Sequence, residues 1–166
     1  MELYVAEALK QVGEPFSFSL SERMEPLSYG QRDVVFASDV RLSGSYVFDG
    51  AGFSVEANGE AVLVQQCARC AKAFDEPVTF PVVERFSKSA EPESDDMYPY
   101  AGDRLDLTRA VLDNLLLHMP LTSVCRPDCK GLCPICGADR NVTECSCQPI
   151  QQAGPFAGLA ALTDEE

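Results

Sequence analysis

Eight cysteines stand in four close pairs along the 166 residues: Cys67 with Cys70, Cys125 with Cys129, Cys133 with Cys136, and Cys145 with Cys147. Zinc takes four sulfur or nitrogen ligands in a tetrahedron, and two cysteines separated by a tight turn can present both sulfurs to one ion. In Cys133-Pro134-Ile135-Cys136-Gly137 the proline and glycine suit such a turn, because the chain must reverse so that backbone amides face the second sulfur. The spacing predicts two structural zinc sites with all eight thiols as ligands.

Two other uses of paired cysteines compete with zinc. A disulfide framework belongs to secreted chains. Met1 to Lys10 shows no basic start followed by an apolar stretch, and no later segment approaches the length of a membrane span, so a cytoplasmic, non-membrane protein is expected. Cysteines this close in sequence also make strained partners for one another. Reactive redox thiols are the second alternative, and zinc loss followed by oxidation is the chemistry they would use. Catalysis is not expected. Catalytic zinc keeps an open position for water, which two all-cysteine sites lack. A cysteine nucleophile needs a neighbouring base, and the single histidine, His118, falls near a predicted helix end with no convincing partner. Asp49-Gly50-Ala51-Gly52 reads as a strand turn, not a phosphate-cradling loop.

The elements that must hold the sulfurs are mostly strands. Val40, Leu42, Tyr46 and Phe48 alternate with small or polar residues up to a turn at Asp49-Gly50. Phe53, Val55 and Ala57 then lead to Asn58-Gly59, a strong hairpin signal, after which a strand from about Glu60 to Gln66 runs into Cys67. Val78, Phe80 and Val82 share one face of the strand that follows Cys70, so the first cysteine pair is expected at the tip of a hairpin. Residues 87–102 read as an exposed acidic loop. Asp106 can cap a helix over Leu107–Met119 that Pro120 ends, with Val111, Leu112, Leu115, Leu116 and Met119 on one broad apolar surface. Ala110 and Leu117 extend that surface, which predicts cover on more than one face. The fold class expected is α+β: an antiparallel, β-rich body with one main helix packed on it and cysteine zinc knuckles.

Residues 125–147 have too little apolar content for a core of their own, so metal must hold them. One partition gives Cys133, Cys136, Cys145 and Cys147 to one ion and Cys67, Cys70, Cys125 and Cys129 to the other, tying the hairpin to the chain that leaves the helix. An alternative joins Cys125 and Cys129 to Cys133 and Cys136, leaving Cys67 and Cys70 for Cys145 and Cys147. The first is favoured because consecutive knuckles three residues apart would crowd one ion.

Length and a 46% hydrophobic composition suit one compact domain over residues 1–166, ending in a short tail at 150–166 where Phe156, Leu159 and Leu162 recur at roughly helical spacing. The formal net charge is −13, and eight thiolates on two Zn²⁺ would carry it four units lower, to −17. Such a chain is poorly matched to nonspecific binding of nucleic acid, which depends on Lys and Arg displacing counterions. It suits a basic protein partner better.

Cys67-Ala68-Arg69-Cys70, Leu105-Asp106-Leu107, Leu116 to Pro120, Cys129-Lys130-Gly131-Leu132-Cys133-Pro134-Ile135-Cys136-Gly137, Cys145-Ser146-Cys147 and Gly154-Pro155-Phe156-Ala157-Gly158-Leu159-Ala160 together resemble the bacterial YceD-like proteins, over roughly Val40 to Leu162. The resemblance implies a cytoplasmic protein linked to accumulation of the 23S RNA of the large ribosomal subunit, with no established catalytic activity. Arg140 departs from the pattern, where an apolar residue is expected before Asn141. Near the knuckles Arg126, Lys130 and Arg140 are matched by Asp128, Asp139 and Glu144, which gives direct RNA contact weak electrostatic support. The expected partner is a basic ribosomal protein or an assembly factor, with no membrane and no small-molecule substrate.

Overall fold

The computed structural model describes residues 1–30, 32–88 and 97–147; the centre of the expected acidic loop and the whole tail from 150 lie outside them. The strands are β1 (Glu2–Tyr4), β2 (Pro15–Glu22), β3 (Leu27–Tyr29), β4 (Arg32–Phe36), β5 (Val40–Phe48), β6 (Gly52–Gln66), β7 (Ala73–Ser87), β8 (Tyr98–Pro99) and β9 (Arg104–Asp106), followed by one helix, α1 (Thr108–His118). Seven strands form one sheet in which β2, β5, β6, β4 and β3 lie in that order, with β7 on the other side of β6 and β8 beside β7. Strands β1 and β9 make a small second sheet. All pairings are antiparallel except β7 with β8. The architecture is the strand-rich α+β body expected, with one main helix.

Period-two burial builds the core. Val40, Leu42 and Tyr46 of β5, Phe53, Val55 and Ala57 of β6, and Val78, Phe80, Val82 and Phe86 of β7 all point to the buried side. Each large side chain removed from water there contributes roughly 1.5–3 kcal/mol. Helix α1 closes this face with Ala110, Val111 and Leu115, all fully buried, while Leu112, Leu116 and Met119 pack around them. Leu117 is the exception in the expected apolar surface, 80% exposed. The Asp106 carboxylate accepts hydrogen bonds from the Thr108 backbone N–H at 2.9 Å and from its hydroxyl, just ahead of the helix, although Leu107 occupies the N-cap position. His118 sits exposed at the far end, its Nδ1 2.8 Å from the Asn114 carbonyl one turn earlier.

At Asp49-Gly50 the chain turns as expected: Gly50 has φ +95°, and the Asp49 carboxylate accepts the N–H groups of Ala51 and Gly52 at 2.9 and 2.8 Å. The turn expected at Asn58-Gly59 does not form. Both residues lie inside β6, paired with Ser43 and Leu42 on one side and with Pro81 and Phe80 on the other. A two-residue hairpin turn of the Asn-Gly kind needs positive φ, and Gly59 does not have it. Its glycine serves packing instead: a Cβ there would lie 2.3 Å from the Phe80 ring, so the ring fills the space a side chain would take. Gly59→Ala is expected to cost ~1–3 kcal/mol by overpacking, read as a lower denaturation midpoint with an unchanged m-value.

Within residues 87–102, Tyr98–Pro99 form β8 and Tyr100 is buried, its ring edge-on to Phe53 at 5.1 Å between centroids. Part of the segment read as loop therefore belongs to the core. Strand β7 carries Pro77 and Pro81, and among the described residues its edge away from β6 is met by a strand only at Phe86 and Ser87. Proline cannot donate a ladder hydrogen bond, so it suits that open edge.

Candidate metal centres

The β6–β7 hairpin delivers the first pair of cysteines. After Gln66 the chain makes a knuckle in which Cys67 N–H donates to the Lys72 carbonyl and Ala71 N–H to the Cys67 carbonyl, both at 2.9 Å. Cys133 N–H to Ala138 O at 2.8 Å and Gly137 N–H to Cys133 O at 2.9 Å repeat the pattern in the second knuckle. The residue after the second cysteine takes positive φ in both, +59° at Ala71 and +74° at Gly137. Only that left-handed residue lets the chain turn back under the two sulfurs.

Tertiary structure then gathers the sulfurs into two sets. Cys67, Cys70, Cys125 and Cys129 form one and Cys133, Cys136, Cys145 and Cys147 the other, each with all four sulfurs within 4.8 Å of one another. This is the favoured partition, and the alternative grouping is not formed. The first set is mostly buried, with Phe74 packed against it. Its sulfurs approach to 3.9 Å for Cys67–Cys129 and 3.8 Å for Cys70–Cys125. These are thiols without disulfides. The edge of a tetrahedron built on a Zn–S length of about 2.3 Å is ~3.8 Å, so the cage has the size of a four-coordinate ion. Both sets could hold a metal.

Proton affinities differ sharply within each set. Backbone N–H groups of Cys125, Cys70 and Arg69 face the Cys67 sulfur and bring its thiol down to about 6. Those of Cys136 and Ile135 do the same for Cys133, also to about 6. Burial, followed by the sulfurs of Cys67, Cys70 and Cys129, pushes Cys125 up to about 12. The Cys136 sulfur, then burial, pushes Cys147 up to about 12. Cys145 is raised chiefly by Cys133. Against the Lys72 backbone N–H, which pulls the other way, burial and the sulfurs of Cys67 and Cys129 raise Cys70. One thiolate forms readily in each set, Cys67 and Cys133, while Cys70 and Cys125 in the first and Cys145 and Cys147 in the second hold their protons more tightly. Four thiolates together call for a cation among them.

Residues beyond the cysteines shape the centres, and sequence reasoning passed over most of them. Arg69, inside the first knuckle, donates to the carbonyls of Pro127 and Cys129 at 3.2 and 3.0 Å, and its own carbonyl accepts Leu132 N–H at 2.9 Å. Gly131, at φ +70°, passes so close that a Cβ would lie 2.9 Å from that carbonyl. Lys72 and Asp139 form an ion pair at 2.7 Å between the knuckles. That hydrogen bond, with the Asn141 N–H groups, holds the Asp139 carboxyl at about 2. The charge balance expected near the knuckles is thus distributed differently: Arg126 does pair with Asp128, but Asp139 pairs with Lys72. Position 140 does not need the apolar residue expected there, because Arg140 is exposed and its backbone N–H donates to Gly131 O at 3.0 Å.

Comparison with known proteins places this arrangement. A protein of Zea mays named large ribosomal RNA subunit accumulation protein YCED homolog 1, chloroplastic, is 38% identical over 65 residues, which cover 37% of this chain and 22% of that protein. Its Arabidopsis thaliana namesake is 32% identical over 68 residues, 41% of this chain and 21% of the other. An uncharacterized protein of Mycobacterium bovis is 33% identical over 91 residues, 52% of this chain and 44% of the other. The chain matches less than half the length of each of these relatives. No solved structure matches it. Among the described residues, no helix is long and apolar enough to cross a membrane. The family model described as large ribosomal RNA subunit accumulation protein YceD matches residues 55–163, a span that takes in both cysteine sets, and the chain belongs to that family.

Proposed function

We propose that this chain is a non-catalytic, zinc-binding factor that supports accumulation of large-subunit ribosomal RNA in the cytoplasm, and that it acts by receiving a basic ribosomal protein or assembly factor. The observation that carries the proposal is the pair of four-thiol cages in a chain of this family. All-sulfur cages with no fifth donor are the form structural zinc takes, and they leave no position for an activated water. Two bound Zn²⁺ hold residues 125–147 on the end of the β6–β7 hairpin. The net charge of −13, lower still with metal thiolates, favours a basic protein over the phosphate backbone as the direct partner.

Metal content of protein purified without added metal is the first test. About two zinc ions per chain, falling to about one in Cys67→Ser and in Cys136→Ser, is the expected result. In cells, depletion is expected to lower mature large subunits selectively; an unaltered subunit profile counts against the ribosomal role. The low proton affinity of Cys67 and Cys133 favours one rival, a thiol redox sensor. Protein carrying little zinc and forming disulfides reversibly would put that rival first.

A further inference from the structure

Between the two cages runs a polar strut built from residues that are not among the eight ligands. It is centred on Asn141, in the loop that Cys136 and Cys145 close. The Asn141 side-chain oxygen accepts the Lys130 backbone N–H at 2.8 Å and the Arg126 guanidinium at 2.9 Å. Its side-chain nitrogen donates to the Asp139 carboxylate at 2.7 Å and to the sulfur of Cys129 at 3.5 Å. Asp139 in turn accepts the Asn141 backbone N–H at 2.9 Å and pairs with Lys72, two residues beyond Cys70. A loop of the second cage thus reaches a ligand sulfur of the first and both chain segments that flank it.

We propose that Asn141, held by Asp139 and Lys72, is a positioning residue that couples the two metal centres, so that filling the Cys133 centre tightens the Cys67 centre and the two ions load cooperatively. This deepens the zinc reading and rests on it. An ion bound by Cys136 and Cys145 fixes both ends of the loop and so fixes Asn141. The amide then stabilises the Cys129 thiolate by N–H···S hydrogen bonding and sets the turn at Lys130. Without that ion the loop gains conformational freedom, and the first centre must order it from its own binding free energy. Linkage requires the reverse as well: filling the first centre tightens the second by the same factor.

Graded chelator competition on the full chain, loaded with Zn²⁺ or with Co²⁺ for its visible absorption, tests this. Wild type is expected to release both ions in one cooperative transition. Asn141→Ala, which keeps all eight thiols, is expected to split that transition in two, with the first centre weakened ~10–100-fold. Cys136→Ser is expected to weaken the remaining centre by a similar factor in wild type, but to add nothing in the Asn141→Ala background. Two independent release steps in wild type, or an Asn141→Ala profile identical to wild type, overturns the coupling while leaving the metal reading intact. Wild type that takes up neither ion overturns both. Should Cys136→Ser fail to fold, the Asn141→Ala profile decides alone.

Discussion

Stripping metal with a strong chelator is expected to release residues 125–147 from the fold while β5, β6 and β7 stay protected from hydrogen exchange. The main core explains the asymmetry. It draws Phe53, Leu63, Val82 and Phe86 from the sheet and Val111 and Leu115 from the helix, and takes nothing from residues 120–147. In that stretch the buried side chains are Ser123, Cys129 and Cys133. Area burial therefore offers the segment little, whereas structural zinc contributes an apparent ~10–16 kcal/mol per site. Protection of amides in 125–147 should fall by a factor on the order of 10³ or more, and that of β6 and β7 should change far less. Equal loss across the chain would mean that the sheet itself depends on the metal. No loss anywhere would mean that the cysteine cages are not what holds the segment.

Acid should strip the metal steeply. Ions bind thiolates, so each proton that a ligand still carries at a given pH must leave on binding, and apparent affinity changes about tenfold per pH unit for each such proton. In the metal-free first cage Cys70 is raised above its ordinary value and Cys125 stands at about 12, so at neutral pH at least these two protons are displaced. Affinity is then expected to fall ~100-fold or more for each unit of acidification. Below about 6, Cys67 takes up a proton too and the dependence steepens. The second cage behaves alike, with Cys145 raised, Cys147 at about 12 and Cys133 at about 6. The sign follows from the direction of proton flow: binding expels protons, so low pH favours the metal-free protein. Zinc uptake in weakly buffered solution, followed by a pH indicator, should register acid release of at least two protons per ion. Uptake without proton release would overturn thiolate ligation.

Much of this protein is legible in its sequence because the relevant physics is local. A cysteine knuckle closes within six residues, a strand declares itself by alternation, and the helix carries its own apolar face and terminating proline. Those signals place Cys67 and Cys70 on a hairpin tip and α1 on the sheet, as the structure has them. Where sequence reasoning failed, the deciding contact was distant. Asn58-Gly59 is a hairpin turn by local preference, yet the Phe80 ring on the neighbouring strand makes Gly59 a packing site inside a strand. Tyr100 reads as part of an acidic loop, yet Phe53 draws it into the core.

The cysteine spacing by itself determined that thiols would cluster, and the separated motifs pointed to the family. Only the tertiary structure decided which four sulfurs meet. It brings the chain leaving α1 back onto the β6–β7 tip, through Arg69 reaching the carbonyls of Pro127 and Cys129 and through Ala68 N–H on Ser123 O at 2.8 Å. Lys72, Asp139 and Asn141 show the same division. None shows its role until folding sets it between the cages, because the Lys72–Asp139 pair joins residues sixty-odd positions apart and the Asn141–Cys129 bond residues 12 apart, and such contacts depend on where two backbones pass and leave no periodic trace along either.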